Sequence, residues 1–309
     1  MAIDRHPNDK DQIASKTTEK IIEDNNLKGY NHIFELQCFK NESGETIIDF
    51  FDLNNLTAAN DAYTVVDNYY CHTLKNPSHQ TKQFKIEYVE HFDAFTSSNN
   101  EPYTTANTAA TTSKNQDHQI CVRNLTQGLQ PLSKIIDNYF KNTYPSLYDK
   151  MKILDLGPNV PKSFGIFPTV AINYNAICAF HWDPNDHPNS LCVVCPLGLF
   201  EGGQLVFPEL KLIIHIKQGQ AIAFRSHFLV HGNSPVITGN RHSVVFFVHG
   251  SVIKQNRPFN TLFFGDLDLD GNHHRIKANS KKDYSSKNNS KKVSKNSRRD
   301  SLGKYYNYI

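Results

Sequence analysis

No run of 18 consecutive apolar residues occurs in this chain, so no segment reads as a membrane-spanning helix. The first residues, Met1-Ala2-Ile3-Asp4-Arg5-His6, lack the apolar core of a secretory leader. Cysteine is sparse: six in 309 residues, at positions 38, 71, 121, 178, 192 and 195. That scatter is not the framework of a disulfide-stapled domain, and a reducing, intracellular compartment is the expectation, with no secretion. Cys192-Val-Val-Cys195 has the spacing of a redox or metal pair. It lies in the apolar run Leu191–Leu197, however, which reads as a buried strand holding two core thiols. There is no internal repeat.

What is present suffices for one sizeable core: 39% of the residues are hydrophobic and 20 are phenylalanine. The net charge of +3 hides an asymmetry. Residues 275–300 hold ten Lys and Arg against Asp283 and Asp300, a charge of +8, so the remainder carries −5. Between those charges the tail is mostly Ser and Asn, which cannot bury enough apolar surface to fold. The expected organisation is a flexible N-terminus over 1–26, one catalytic domain over 27–272 and a basic, disordered tail over 273–309. The basic stretch 275–299 reads as a polyanion-binding arm that adds nucleic-acid affinity without sequence information, or as a nuclear-import signal. The expected location is the nucleus, and the expected oligomeric state a monomer.

The N-terminal third yields few signals. Ile33–Lys40 and Thr46–Leu53 flank the turn residues 41–45 and read as a hairpin. Phe84–Phe92 reads as a strand, and residues 96–119 as a low-complexity loop rich in Ser, Thr and Asn. Leu132, Ile135, Ile136, Tyr139 and Phe140 have helical spacing, which predicts a helix from Pro131 to Asn142. From Phe164 onward the pattern becomes short strands divided by Gly, Pro and Asn turns: 168–175, 177–182, 191–197, 203–207, 210–216, 220–224, 228–231 and 242–248. Eight such strands predict a mainly β protein with flanking helices (α+β). Its core is expected to be a double-stranded β-helix, a cupin-like jelly roll, over about 164–252.

The chemistry concentrates in that half. His181-Trp182-Asp183 places an imidazole and a carboxylate on one side of an extended backbone. With one more histidine from a distant strand they make a 2-His-1-carboxylate triad, which suits Fe(II) and leaves one face of the metal open. His227 and His231 both qualify, since alternation puts them on the same face. In the last strand the same period aligns Arg241, Ser243, Val245, Phe247 and His249. A guanidinium and a hydroxyl directed together into an apolar interior call for an anion, and a carboxylate matches the guanidinium fork. An ordinary ion pair with a neighbouring Asp or Glu is the alternative use of Arg241.

Four stretches carry a resemblance: His181-Trp-Asp183-Pro-Asn-Asp186, Asn189–Cys195 with Leu197-Gly198, Gly202-Gly203-Gln-Leu205, and Arg241-His-Ser243-Val-Val-Phe-Phe-Val-His249. The segment from Phe164 to Gly250 resembles the Fe(II)/2-oxoglutarate-dependent dioxygenases, and within them the TET/JBP nucleic-acid base hydroxylases. The resemblance implies that His181, Asp183 and His231 bind iron, His231 being favoured over His227 by its spacing to Arg241. It implies that Arg241 and Ser243 hold the distal carboxylate of 2-oxoglutarate, with O₂ as the second co-substrate. It further implies that Asp186 and His249 contact the target base; the plain alternatives are a turn-capping aspartate and a strand-end histidine.

The expected activity is hydroxylation of the methyl group of a modified base, 5-methylcytosine first and thymine next, in DNA or, as the other candidate, RNA. The cysteine-rich region, the CXXC zinc finger and the long insert of the animal TET proteins are not seen in this sequence. A hydroxylase of the prolyl-hydroxylase type, acting on protein or a small molecule, is the first rival, although such enzymes usually place Lys where this chain has Arg241. A non-catalytic cupin-like binding module is the second; the intact His181, Asp183, His231 and Arg241 speak against it.

Overall fold

The computed structural model describes residues 27, 29–73, 88–95, 102–105, 107–108, 116–176 and 178–253. The expectations for residues 1–26, for the basic tail and for most of the 96–119 loop lie outside them.

Two sheets face one another. The larger has eight strands: β2 (Gln37–Lys40), β3 (Thr46–Asp52), β11 (Gln220–Phe224), β7 (Cys192–Leu197), β14 (His242–Phe247), β6 (Thr169–Tyr174), β4 (Tyr88–Phe95) and β5 (Tyr103–Thr104), in that spatial order. The smaller has the order β1 (Asn31–Ile33), β10 (Leu212–Ile214), β9 (Leu205–Phe207) and β12 (Gly232–Asn233). A separate two-stranded ribbon pairs β8 (Phe200–Gly202) with β13 (Val236–Gly239). This is the expected jelly roll, widened by strands from the N-terminal third.

Alternation along each strand divides the core in two. One row of the large sheet runs His91, Ala171, Val245, Val194, Ile222, Phe50 and Gln37 from strand to strand. Its apolar members pack inward with Leu205, Phe207, Leu212 and Ile214 of the small sheet. The adjacent row, which includes Ile172, Val244 and Cys195, packs outward under the helices. Cys192 and Cys195 therefore fall into different cores. Both are buried free thiols, as their apolar run suggests.

The outer core is covered by α1 (Leu56–Thr73), α2 (Gln116–Thr143) and α3 (Pro145–Lys152). The predicted helix exists but starts fifteen residues earlier, at Gln116 rather than Pro131. Val122, Leu125, Leu129, Leu132, Ile136 and Phe140 keep one buried stripe through the proline. Pro131 is exposed, so the missing N–H and the ring fall on the solvent side. Burial of the stripe outweighs a local helix-breaking signal of about 3 kcal/mol. Helices α1 and α3 were not legible as helices.

Further differences concern strand limits. Ile33–Lys40 splits into β1, which joins the small sheet beside β10, and β2, which forms the expected hairpin with β3. The predicted strands 177–182 and 228–231 are not strands; each contributes one bridging residue, His181 and His231. Residues 225–229 make a turn instead, with the Phe228 and Leu229 N–H groups both donating to the Arg225 carbonyl. The ribbon β8–β13 was also missed.

Candidate metal and co-substrate site

His181 and His231 lie directly opposite in an antiparallel bridge. The His181 N–H donates to the His231 carbonyl at 2.9 Å and the His231 N–H to the His181 carbonyl at 2.7 Å. Each imidazole is then oriented by a carbonyl two residues upstream. Nδ1 of His181 donates to Ala179 O at 2.7 Å, and Nδ1 of His231 to Leu229 O at 3.0 Å. A carbonyl can only accept, so both protons sit on Nδ1 and both Nε2 lone pairs are left for a ligand. The two Nε2 atoms point at one carboxylate: His181 Nε2 is 3.7 Å from Asp183 Oδ1, and His231 Nε2 is 3.5 Å from Asp183 Oδ2. The Asp183 N–H is itself held by the Ser226 carbonyl at 3.0 Å. The donor atoms of all three residues lie within 4.8 Å of one another. Burial, reinforced by His181, pushes the His231 pKa down to about 4, which keeps that ring neutral. Two imidazoles and a carboxylate converging from bridged backbone segments suit Fe(II).

His227 is not part of this cluster. The turn at 225–229 breaks the alternation that put it on the face of His231, and its Nδ1 binds the Asp186 carbonyl at 2.8 Å.

Arg241 precedes β14 and is only 3% exposed. Its Nη1 donates to Ser243 Oγ at 2.9 Å, while Nε and Nη2 have no hydrogen-bond partner among the described residues. No Asp or Glu pairs with it there, which removes the ordinary ion pair as its role. Burial pulls its pKa down to about 10, so the guanidinium is still charged at neutral pH. A buried cation with two unmet donors costs several kcal/mol unless an anion joins it. The arrangement therefore fits a carboxylate-bearing co-substrate. The Phe200 ring lies 5.5 Å from the guanidinium carbon and supports its face.

Cys178 lies within the electrostatic reach of both Arg241 and Asp183. Its thiol is pushed up by burial, lowered by the Arg241 charge and raised by that of Asp183, so it feels both. Its carbonyl accepts from Asn233 N–H at 2.9 Å, next to the segment that carries His231.

Gly203 has φ +62, and a Cβ there would sit 2.6 Å from Arg241 Cδ and 3.2 Å from Nε. Gly203→Ala is accordingly expected to displace the guanidinium. The concentration of 2-oxoglutarate needed for half-maximal succinate formation should rise about tenfold, roughly 1.4 kcal/mol. Iron affinity should be unchanged, because no metal-cluster atom touches Gly203. An unaltered co-substrate requirement would show that the close approach has no role.

Asp186 and His249 form a second bridge, framed by His187 N–H to Val248 O at 2.8 Å and Gly250 N–H to Asn185 O at 2.7 Å. The Asp186 carboxylate is 6% exposed and accepts from Ser226 Oγ at 2.5 Å. Burial first, then the Asp183 charge, raise its pKa well above the usual carboxylate range. His249 Nδ1 accepts from the Ser251 N–H at 3.2 Å and lies 2.6 Å from Ser251 Oγ, so the ring proton is on Nε2. Of the seven sequence-predicted residues, Arg241 and Ser243 pair with each other, and the other five form two linked clusters, His181 with Asp183 and His231, and Asp186 with His249. Ser226 joins them, its carbonyl on Asp183 and its hydroxyl on Asp186. Ser226 and Cys178 had no sequence signal, since nothing in a lone Ser or Cys tells which strand ends will surround it.

Residues 98–250 match the Tet_JBP family, the oxygenase domain of the 2OGFeDO superfamily. No curated protein matches the sequence. Among solved structures the chain is similar to NgTET1 in complex with 5mC DNA, at 16% identity and TM-score 0.49, covering 74% of this chain and 86% of that one. It is also similar to a viral collagen prolyl hydroxylase from Paramecium Bursaria Chlorella virus-1, at 14% identity and TM-score 0.37, covering 71% and 96%. A third is OsALKBH1, at 12% identity and TM-score 0.38, covering 70% and 100%.

Proposed function

Since residues 98–250 make this chain an Fe(II)- and 2-oxoglutarate-dependent dioxygenase with a TET/JBP oxygenase domain, we propose that it hydroxylates the methyl group of a modified nucleic-acid base, 5-methylcytosine first. The observation that carries the reading is the family match together with the Asp186–His249 bridge beside the metal cluster.

In this reading His181, Asp183 and His231 hold the iron, and Arg241 with Ser243 takes the distal carboxylate of 2-oxoglutarate. When bound, iron and 2-oxoglutarate supply the oxidation: 2-oxoglutarate and O₂ become succinate and CO₂, and one oxygen atom enters the methyl C–H bond. The chain's own share is placement. The Nδ1–H bonds to Ala179 O and Leu229 O keep both imidazoles turned to the metal. Arg241 and Ser243 orient the co-substrate along one direction. Asp186 and His249 line the end that meets the base, where a carboxyl and an Nε2–H offer hydrogen bonds to its edge. A methylated base in a duplex is buried in the stack, so it must leave the helix to reach this cleft. The basic stretch 275–299 holds phosphate, and the protein works in the nucleus on DNA.

The test uses the full chain with Fe(II), ascorbate, 2-oxoglutarate and methylated duplex DNA, followed by nucleoside mass spectrometry. Hydroxymethylcytosine is the expected product. Succinate released with every nucleoside unchanged would reject the nucleic-acid substrate and leave the dioxygenase chemistry standing.

A further inference from the structure

Strand β4 brings a side chain to the cleft from outside the family match, which begins at residue 98. His91 pairs across β6 with Ala171, and Ala171 pairs with Val245 of β14. His91 therefore shares the inward face with Arg241, Ser243, Val245 and Phe247. It stands at the level of Val245, between the co-substrate anchor and the end where His249 lies. Ala171, between His91 and Val245, is small.

Three further observations set His91 apart. Its ring meets the Phe247 ring edge-on, at 5.8 Å between centroids and 69° between planes. It is exposed, on a row whose central members are buried and apolar, and neither ring nitrogen has a hydrogen-bond partner among the described residues. The Asp183 charge is felt at the ring. An imidazole open to solvent, on the sheet face that carries Ser243 and Phe247 and without a hydrogen-bond partner among the described residues, is placed to meet a ligand rather than to hold the fold.

We propose that His91 is a specificity-determining residue that contacts the target base, forming with Phe247 an aromatic corner that admits a planar heterocycle. The inference rests on the nucleobase reading given above. A neutral imidazole carries one N–H donor and one acceptor nitrogen. That pair matches the mixed donors and acceptors on the edge of a base, and a flipped base is held in this way, by edge hydrogen bonds and ring contacts.

The experiment compares wild type, His91→Ala, His91→Leu and His91→Asn as full-length proteins. The substrate is a duplex oligonucleotide with a single 5-methylcytosine. Three quantities are read: hydroxymethylcytosine formed, succinate formed without DNA, and the thermal shift produced by Fe(II) plus 2-oxoglutarate. His91→Ala and His91→Leu are expected to lose product tenfold or more with the other two readouts unchanged, and His91→Asn to retain more product than His91→Leu. A product loss smaller than tenfold, or an equal loss of DNA-independent succinate, overturns the contact alone. Wild-type protein that alters no nucleoside overturns the nucleobase reading and, with it, the base as the partner of His91.

Discussion

Exchange of Asp183 for alanine is expected to abolish Fe(II)-dependent succinate formation, and exchange of His231 for alanine to do the same. Asp183 is the only carboxylate facing both Nε2 atoms among the described residues. Without it two imidazoles remain, and the charge that offsets a divalent cation is gone. Loss of a mere supporting partner costs about 10–100-fold in metal affinity, and loss of a ligand should exceed that. The measurement is a metal titration beside the succinate assay, so that a ligand defect is told from an unfolded chain. His227→Ala separates the two histidines that alternation could not. It should leave the iron titration unchanged, because His227 bonds the Asp186 carbonyl and not the cluster. Iron binding that survives in His231→Ala and fails in His227→Ala would refute the triad.

Arg241→Ala is expected to act in opposite directions on function and on stability. Truncating one partner of a buried charge pair costs about 2–5 kcal/mol, so half-saturation by 2-oxoglutarate should rise about thirtyfold or more. In the co-substrate-free protein the same change removes a 97% buried cation whose Nε and Nη2 are unmet. The midpoint of thermal unfolding without 2-oxoglutarate should therefore hold or rise, whereas a partnered buried arginine would lower it on removal. Arg241→Lys should recover little, since an ammonium offers no planar fork. An unchanged co-substrate requirement in Arg241→Ala would mean that the carboxylate binds elsewhere.

The site was unevenly legible. His181-x-Asp183 and Arg241-x-Ser243 are local patterns: a strand repeats every two residues, so each pair shares a face wherever the strand goes. The choice between His227 and His231 was not local. It turned on whether residues 225–229 run straight or turn, and two N–H groups on the Arg225 carbonyl decide that. The helix start failed for a similar reason. Pro131 is a strong local stop, yet the buried stripe from Val122 to Phe140 runs past it.

By itself, the amino-acid sequence determined the jelly-roll pattern of short strands, the candidate metal and anion donors, and which residues of the last strand share a face. The tertiary structure alone decided that residues 225–229 turn and take His227 off the face of His231, that Arg241 has no acidic partner among the described residues, that Ser226 links Asp183 to Asp186, and that His91 comes into register with Ala171 and Val245. The physical reason is the range of the interactions. Alternation and turn chemistry act over a few residues and can be read along the chain. Strand pairing joins residues such as 91, 171 and 245, and its energy exists only once the intervening loops have closed.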